Sequence, residues 1–330
     1  MTKRPTILAT RRFPDAVERR LARDYRARLN LDDRLYDPAG LVAAAEGADG
    51  LFVSATERFD ADQIARLPAS VGILCTLSVG LDHIDLDAAR ARGLVVTHIP
   101  DVLSEACADT AMLLLLAAAR RAREGDTMVR DGSWTGWAPT QLLGVELNGK
   151  RLGILGMGRI GQALARRARG FGLEVHYCNR HRLPADLEQG AIYHADADEM
   201  VGLSHFLSLN CPATPKTTGF LDAARIARLP DGAVVVNISR GELIDEAALI
   251  TALKSGKLAG AGLDVFDGEP KVNAALRALP NTFLFPHAGS ATVETRDAMG
   301  MMVLDSLDAF FAGHDVPRRA WLTERKRQVP

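Results

Sequence analysis

Three side chains with complementary charge and proton-transfer chemistry each follow an apolar, strand-like run. Arg240 comes after AVVVNI, Glu269 lies in DGEP beyond the run ending LDV, and His287 lies in PHAGS after TFLF. An arginine can bind a carboxylate and polarise a carbonyl, a histidine can protonate the carbonyl oxygen, and a glutamate can hold that imidazole oriented and charged. Taken singly, each could be an ordinary surface or structural residue. Together, at strand ends where open α/β sheets bind ligands, they indicate reduction of a 2-keto acid.

A glycine-rich segment, GMGRIG, stands between the predicted strand Arg151–Leu155 and the predicted helix Gln162–Arg169. In this context the first glycine allows a tight turn, the second lets a pyrophosphate approach the backbone, and the third lets helix and strand pack closely. The helix N-terminus offers N–H groups and a partial positive charge to the phosphates. The predicted dinucleotide contacts are Gly156, Gly158, Arg159, Ile160 and Gly161.

The turn after the next predicted strand reads Asn179-Arg180-His181-Arg182. A site that prefers NAD usually carries Asp or Glu there, to bind the ribose hydroxyls. Arginines can instead hold a ribose 2′-phosphate with paired hydrogen bonds. We therefore predict that Asn179, Arg180 and Arg182 bind the cofactor, with NADP(H) preferred and NAD(H) possible. An ordinary exposed basic turn is the alternative.

The elements that would position these residues alternate as strand and helix. In the first hundred residues the predicted strands are Thr6–Thr10, Gly50–Ala55, Val71–Leu77 and Leu94–Ile99. The predicted helices there are Asp15–Leu29, Pro38–Ala45, Ala61–Leu67 and Leu86–Arg92. A helix over Glu105–Glu124, with Ser104 as its N-cap, follows. This rhythm predicts a doubly wound parallel sheet covered on both faces.

A second strand–helix series begins at Arg151. Its predicted strands are Arg151–Leu155, Leu173–Cys178, Phe206–Asn210, Ala233–Ile238, Ala259–Asp264 and Thr282–Phe285. The segment Asp131–Leu143 is predicted as a loop or arm, and the last helix is predicted at Val293–Phe311. We expect an α/β protein with two Rossmann-like, doubly wound parallel-sheet domains. A discontinuous, flavodoxin-like substrate domain would comprise 1–101 and 290–330, and a dinucleotide-binding domain 102–289.

Bulk composition restricts the class of protein. The chain has 330 residues, 47% hydrophobic and 25% charged, which suits two folded domains. Its formal net charge of -1 gives no indication of nucleic acid or an anionic membrane as a partner. The longest apolar run, Ala111–Ala119, is too short to span a bilayer. The four cysteines form no CxxC pair and no signal peptide is recognisable, so we expect no metal and a cytoplasmic location.

Taken together, the motifs resemble those of the D-isomer-specific 2-hydroxy acid dehydrogenase family over nearly the whole chain. The matching segments are Ser78–Asp85, Gly156–Gly161, Cys211-Pro212, Val236–Glu242, Gly262–Pro270 and Pro286–Thr295. The resemblance implies two Rossmann-like domains with the active site in the cleft, and usually a dimer. It also implies that Arg240 binds substrate, that His287 is the general acid and base, and that Glu269 supports His287.

Further site residues follow from the same resemblance. The backbone N–H groups of Val79 and Gly80 would bind the substrate carboxylate, unless they form a plain turn. Asp264 would face the nicotinamide carboxamide, unless it only caps a strand end. The other implied cofactor contacts are Cys211, Pro212, Ile238 and Gly289. Cys107 stands where family members often have Thr, a departure that would loosen cofactor binding only slightly.

Within the family the chain most resembles glyoxylate and hydroxypyruvate reductases, through PDVL at 100–103, SWTGW at 133–137 and the Asn179-Arg180 turn. In such enzymes the second Trp reaches from one subunit into the partner's substrate pocket. This makes Trp137 a predicted substrate contact and predicts a homodimer, the alternative being that Trp134 and Trp137 only pack in a dimer arm. Formate dehydrogenases pair His with Gln, so Glu269 argues against them. Nucleotide-sensing transcriptional corepressors on the same fold remain a rival class.

Overall fold

The computed structural model describes residues 4–317 and divides into two compact units. One unit contains the described parts of Met1–Leu103 and Ala291–Pro330, and the other contains Ser104–Ser290. The functional assignment of these regions as substrate and dinucleotide-binding domains stays a prediction. Within the described residues, no helix has both the length and the apolar character that crossing a bilayer requires.

The structure places the strands and helices as follows. The strands are β1 Thr6–Ala9, β2 Arg26–Arg28, β3 Gly50–Val53, β4 Ile73–Thr76, β5 Val95–Thr97, β6 Arg151–Leu155, β7 Glu174–Cys178, β8 Ile192–His194, β9 Phe206–Leu209, β10 Ala233–Asn237, β11 Leu258–Leu263 and β12 Thr282–Leu284. The helices are α1 Asp15–Asp24, α2 Pro38–Ala44, α3 Ala61–Arg66, α4 Leu86–Arg92, α5 Ser104–Ala119, α6 Ala122–Arg130, α7 Arg159–Gly170, α8 Ala185–Glu188, α9 Ala197–Leu203, α10 Ala223–Arg228, α11 Glu246–Ser255, α12 Ala274–Ala278 and α13 Val293–Phe311.

The first unit is built on a five-stranded parallel sheet with the order β2-β1-β3-β4-β5. This is the flavodoxin-like order, 2-1-3-4-5. Every residue of β1, β3 and β4 is buried, as expected for parallel strands covered on both faces. Helix α13 returns to this unit and packs on α1 and β4.

The second unit contains a seven-stranded parallel sheet with the order β12-β11-β10-β9-β6-β7-β8. Counted from β6, this is the dinucleotide-binding order 3-2-1-4-5-6 with one added strand. Helix α5 is buried on most sides and lies against β11, where a Cβ at Gly262 would come within 2.6 Å of the Leu114 carbonyl oxygen. The predicted α/β class with two Rossmann-like parallel sheets is confirmed.

Two helix predictions are wrong in part. The predicted helix Glu105–Glu124 breaks after Ala119, because Arg121 takes a left-handed backbone conformation (φ 51°), and α6 begins separately. Ser104 is the first residue of α5 rather than its N-cap. The predicted helix Asp15–Leu29 ends at Asp24, and the chain continues into the edge strand β2.

Candidate active site

The loop after β10 carries Arg240 and is held by the last residue of that strand. Asn237 is fully buried, its Nδ2 donates to the Arg240 carbonyl oxygen at 2.7 Å, and its Oδ1 accepts from the Ser239 N–H at 3.0 Å. A buried amide is expected to be hydrogen-bonded, and the Asn237 amide uses these two hydrogen bonds to hold the loop in place. The motifs did not predict this role, although an Asn at the end of an apolar strand is its signal in the sequence.

Gly241 lets the Arg240 loop press against the loop that carries Glu269. A Cβ at Gly241 would lie 1.9 Å from the Phe266 carbonyl carbon and 2.1 Å from the Asp267 nitrogen. Both neighbours are backbone atoms, so a larger residue would force the two loops apart. Glycine is therefore required here by close approach, a second role that the motifs did not predict.

His287 and Glu269 are in direct contact. His287 Nδ1 is hydrogen-bonded to Glu269 Oε1, while Glu269 Oε2 accepts from the Phe266 N–H at 3.2 Å. A carboxylate on Nδ1 fixes the orientation of the ring and leaves Nε2 as the nitrogen that can exchange a proton with a substrate. The His287 side chain is 46% exposed, so a small molecule can reach it.

Asp264 clamps the loop that carries His287. Its Oδ1 accepts from the Ala288 N–H at 2.7 Å and its Oδ2 from the Gly289 N–H at 2.9 Å. The His287 N–H donates to the Asp264 carbonyl oxygen at 2.7 Å. These bonds hold His287 at a positive φ of 50°, which a non-glycine residue rarely adopts. The predicted contact of Asp264 with a nicotinamide stays a prediction, and its visible role is to position this loop.

Electrostatics keep Glu269 ionised. Burial is the largest single influence and acts to raise the pKa of Glu269, but the hydrogen bond and charge of His287 act to lower it. The Phe266 N–H and the charge of Arg240 act in the same lowering direction, so the net pKa of Glu269 lies below its usual value. Arg240, Glu269 and His287 therefore interact as a group, as their positions at strand ends predict.

The Asp264 carboxyl is shifted in the opposite direction. Burial raises its pKa, although the N–H groups of Ala288 and Gly289 and the charge of His287 oppose this. Asp264 is 1% exposed, so its two backbone hydrogen bonds are what make the buried carboxylate tolerable.

The glycine-rich loop is closely packed at its first and third glycines and open at its second. Gly156 has φ 96°, and a Cβ there would lie 2.7 Å from the Cys211 nitrogen. A Cβ at Gly161 would lie 2.5 Å from the Gly156 carbonyl oxygen, so helix α7 can approach the turn only with glycine. A Cβ at Gly158 would meet no heavy atom within 4 Å. The open side of Gly158, next to exposed Arg159 and half-buried Ile160 at the start of α7, is where phosphates would fit.

In the turn after β7, the three residues predicted to bind cofactor have different partners. Asn179 Oδ1 accepts from the Met157 N–H at 2.7 Å, which ties the turn to the glycine-rich loop. Glu188 binds the Arg182 guanidinium through two contacts, of 2.8 and 3.1 Å, and the predicted contact of Arg182 with the cofactor stays a prediction. Arg180 is exposed, and within residues 4–317 no carboxylate is paired with it.

The remaining predicted cofactor contacts lie beside the same sheet edge. The Cys211 carbonyl oxygen accepts from Ser239 Oγ at 2.5 Å, which links the loops after β9 and β10. Burial raises the pKa of the Cys211 thiol to about 11, so it stays protonated. Pro212 is exposed and Ile238 is half-buried, as residues that flank a ligand would be.

The other predicted substrate contacts belong to loops. Val79 and Gly80 follow β4 in the first unit, where Val79 is 39% exposed. Trp137 lies in the second unit, in the stretch between α6 and β6, and is 81% exposed. Aromatic residues are enriched in the cores of protein interfaces, and the predicted contact of Trp137 with substrate stays a prediction.

Known proteins match this chain in sequence and fold. The family described as D-isomer specific 2-hydroxyacid dehydrogenase, NAD binding domain, matches residues 112–289. The chain is 43% identical over 312 residues to a glycerate dehydrogenase from Hyphomicrobium methylovorum, covering 94% of this chain and 97% of that protein. A structure assigned to D-isomer specific 2-hydroxyacid dehydrogenases, from Polaromonas sp. JS6 66, superposes with a TM-score of 0.92 at 51% identity, covering 96% and 99% of the two chains.

A third match is the structure of an NADPH-dependent glyoxylate/hydroxypyruvate reductase from Sinorhizobium meliloti. Its TM-score is 0.85 at 36% identity, with 96% of this chain and 97% of that chain covered. Fold and site thus define a nicotinamide-dependent oxidoreductase. The chain belongs to the D-isomer-specific 2-hydroxyacid dehydrogenase family, and the resemblance seen in its motifs is confirmed.

Proposed function

We propose that this enzyme reduces a small 2-keto acid, glyoxylate or hydroxypyruvate, to the D-2-hydroxy acid and prefers NADPH to NADH. The observation that carries the proposal is the contact between His287 Nδ1 and Glu269 Oε1, in loops that also interact with Arg240. A carboxylate-bound imidazole beside a guanidinium provides a proton donor and a carboxylate-binding group together.

Each residue has one part in the reaction. Arg240 binds the substrate and polarises its carbonyl, and the N–H groups of Val79 and Gly80 bind the substrate carboxylate. His287 delivers a proton from Nε2 to the carbonyl oxygen, and Glu269 stabilises the charged imidazole before that transfer. A bound nicotinamide dinucleotide supplies the hydride for the carbonyl carbon. Oxidation of the hydroxy acid uses the same residues, with neutral His287 accepting the proton.

The choice of substrate and cofactor is supported by relatives and by the turn after β7. The Sinorhizobium relative is described as NADPH-dependent, acts on glyoxylate and hydroxypyruvate, and was crystallised with NADP and malonate. In this chain the turn offers Arg180 and no acidic residue at positions 179–182. A carboxylate there would repel a 2′-phosphate, whereas a guanidinium binds it.

The assembly that we propose is a homodimer. Residues 131–150 contain no helix or strand, and exposed Trp134, Trp137 and Leu143 lie within them. Aromatic residues of this kind are enriched at the cores of protein interfaces. In a two-fold dimer each Trp137 reaches the substrate pocket of the partner subunit.

A substrate panel tests the proposal. Values of kcat/KM for 2-keto acids from glyoxylate to phenylpyruvate, each with NADPH and NADH, should be highest for glyoxylate or hydroxypyruvate with NADPH. His287→Ala should lower kcat at least about 100-fold. A preference for a bulky keto acid would contradict the substrate assignment, and near-normal turnover by His287→Ala would contradict the proton donor.

The two arginines of the turn give a matched pair for the cofactor. Arg180→Ala should raise the KM for NADPH by about tenfold or more and leave the KM for NADH nearly unchanged, because one charge-assisted contact contributes about 1.5–3 kcal/mol. Arg182→Ala removes a guanidinium that Glu188 already binds. It should therefore change the ratio of the KM for NADPH to the KM for NADH far less. An equal or greater kcat/KM with NADH in the unmodified enzyme contradicts the NADPH preference.

A further inference from the structure

The loop after β4 has three successive carbonyl groups that are all held from inside the first unit. The Ser78 carbonyl oxygen accepts from the Ile99 N–H at 3.0 Å. The Val79 carbonyl oxygen is hydrogen-bonded to His98 Nδ1 at 3.0 Å, and the Gly80 carbonyl oxygen accepts from Ser78 Oγ at 2.7 Å. Three consecutive peptide groups are therefore fixed in orientation.

Fixing a carbonyl also fixes the N–H of the next residue. In a planar trans peptide the C=O and the following N–H point in opposite directions. Because the Ser78 carbonyl points to the Ile99 N–H and the Val79 carbonyl to the His98 ring, the N–H groups of Val79 and Gly80 point away from those two residues. Among residues 4–317 neither of these N–H groups donates to a protein acceptor, so both remain available to a ligand.

The hydrogen-bond directions can be assigned from chemistry. A carbonyl oxygen only accepts, so His98 Nδ1 must carry the proton in its bond to Val79. Ser78 Oγ donates its proton to the Gly80 carbonyl oxygen and therefore accepts from buried Thr76 Oγ1, 2.9 Å away. Thr76 Oγ1 in turn accepts from His83 Nε2 at 3.0 Å. The loop is thus supported by a series of hydrogen bonds with assigned donors, which passes through Thr76, the last residue of β4.

We propose that His98 is a positioning residue for the substrate, because its bond to the Val79 carbonyl holds the Gly80 N–H toward the substrate carboxylate. Ser78 holds the following peptide, between Gly80 and Leu81, and so fixes the other side of Gly80. The inference rests on the proposed function, in which the N–H groups of Val79 and Gly80 bind that carboxylate. Since His98 acts through the backbone, its loss weakens binding of the carboxylate and leaves proton transfer by His287 intact.

Two substitutions of nearly equal shape separate the hydrogen bond from simple packing. In His98→Asn the Nδ2 group takes the place of the ring Nδ1 and keeps a donor for Val79. In His98→Leu the branched side chain has similar size and no donor. We expect His98→Leu to raise the KM for glyoxylate about tenfold, the effect of losing about 1.4 kcal/mol of binding. Its kcat and its KM for NADPH should change less than about twofold, and His98→Asn should stay close to the unmodified enzyme.

The dissociation constant of oxamate, an unreactive isostere of a 2-keto acid, is measured on the same proteins with NADPH bound. It should rise about tenfold in His98→Leu and stay nearly constant in His98→Asn. Equal effects of the two variants, or no effect of either, would overturn the inference. His98→Ala, which also lacks a donor for the Val79 carbonyl, should likewise weaken oxamate binding, and it replaces His98→Leu if that variant fails to fold.

The inference and the proposed function can fail separately. If the unmodified enzyme binds oxamate with the predicted ranking of variants but reduces none of the keto acids tested, the positioning role stands and the proposed reaction is wrong. If the enzyme reduces glyoxylate and His98→Leu retains the normal KM, the reaction stands and the positioning role is wrong. If oxamate does not bind the unmodified enzyme, the inference is overturned.

Discussion

In the proposed reaction, Glu269 acts on His287 and not on the reacting atoms themselves. One of its oxygens is hydrogen-bonded to His287 and the other to the Phe266 N–H, so its position is fixed from both sides. Its pKa is lowered, with burial opposed by the hydrogen bond and charge of His287. The ionised carboxylate thus remains a hydrogen-bond acceptor for His287 Nδ1.

Glu269→Gln should therefore alter the pH dependence of reduction. An amide carries no charge to stabilise the imidazolium, so the alkaline loss of kcat should begin at lower pH, and kcat near neutrality should fall about tenfold or more.

Because the Glu269 pKa is lowered on folding, the folding stability that its charge adds is present above its unfolded pKa. That stability is lost as the pH falls through the folded value.

Profiles of kcat against pH in both reaction directions measure the effect of Glu269→Gln. Glu246→Gln is the control, since the Glu246 carboxylate accepts from Asn273 Nδ2 at 2.8 Å at the surface. An unshifted alkaline limb in Glu269→Gln would show that Glu269 does not support the proton donor.

At the level of the elements, the loops after β10, β11 and β12 interlock and hold the candidate catalytic residues. Asn237 holds the Arg240 loop, Asp264 holds the His287 loop, and Gly241 lets the first of these meet the Glu269 loop. None of these three contacts involves a substrate. These contacts fix the positions of the loops that follow the three strands, and with them the geometry of the candidate site.

Gly241→Ala should disturb this arrangement. The added methyl group would lie 1.9 Å from the Phe266 carbonyl carbon, so the two loops must separate. Overpacking of this kind costs about 1–3 kcal/mol of unfolding free energy, and displacement of Arg240 should lower kcat/KM. Gly202→Ala is the control, because a Cβ there meets nothing within 4 Å inside helix α9. Denaturant unfolding and kinetics of both variants measure the effect, and a fully active, stable Gly241→Ala contradicts it.

The pattern of strand ends explains which parts of the site could be predicted from the sequence. Arg240, Glu269 and His287 follow consecutive apolar strands, and parallel strands bring such residues to one edge. The pairing of Arg182 with Glu188 could not be predicted, because it depends on how α8 folds back on β7. Arg121 takes the left-handed conformation between α5 and α6, and no glycine or proline at that position predicts the break. The short edge strands β2 and β8 are partly exposed, so they lack the apolar signal of a central strand.

For the whole molecule, the dimer is the principal untested expectation. Sedimentation at assay concentrations should show a dimer, and Trp137→Ala should raise the KM for the keto acid severalfold while leaving the KM for NADPH unchanged. The control is Phe171→Ala, which removes an aromatic side chain that is 46% exposed elsewhere in the second unit. A fully active monomer, or a Trp137→Ala variant with unchanged substrate preference, contradicts the proposed role.

The distribution of the site residues along the chain also has an evolutionary consequence. Arg240, Glu269, His287 and the glycine-rich loop all lie within Ser104–Ser290, whereas Val79 and Gly80 lie in the other unit. By our proposal, the machinery for the redox step is inherited as one continuous stretch of chain. Descendants of a duplicated gene can then diverge in other loops of the first unit and acquire new keto acids, while the loop at 78–80, which binds the carboxylate common to all of them, and the redox machinery are left unaltered.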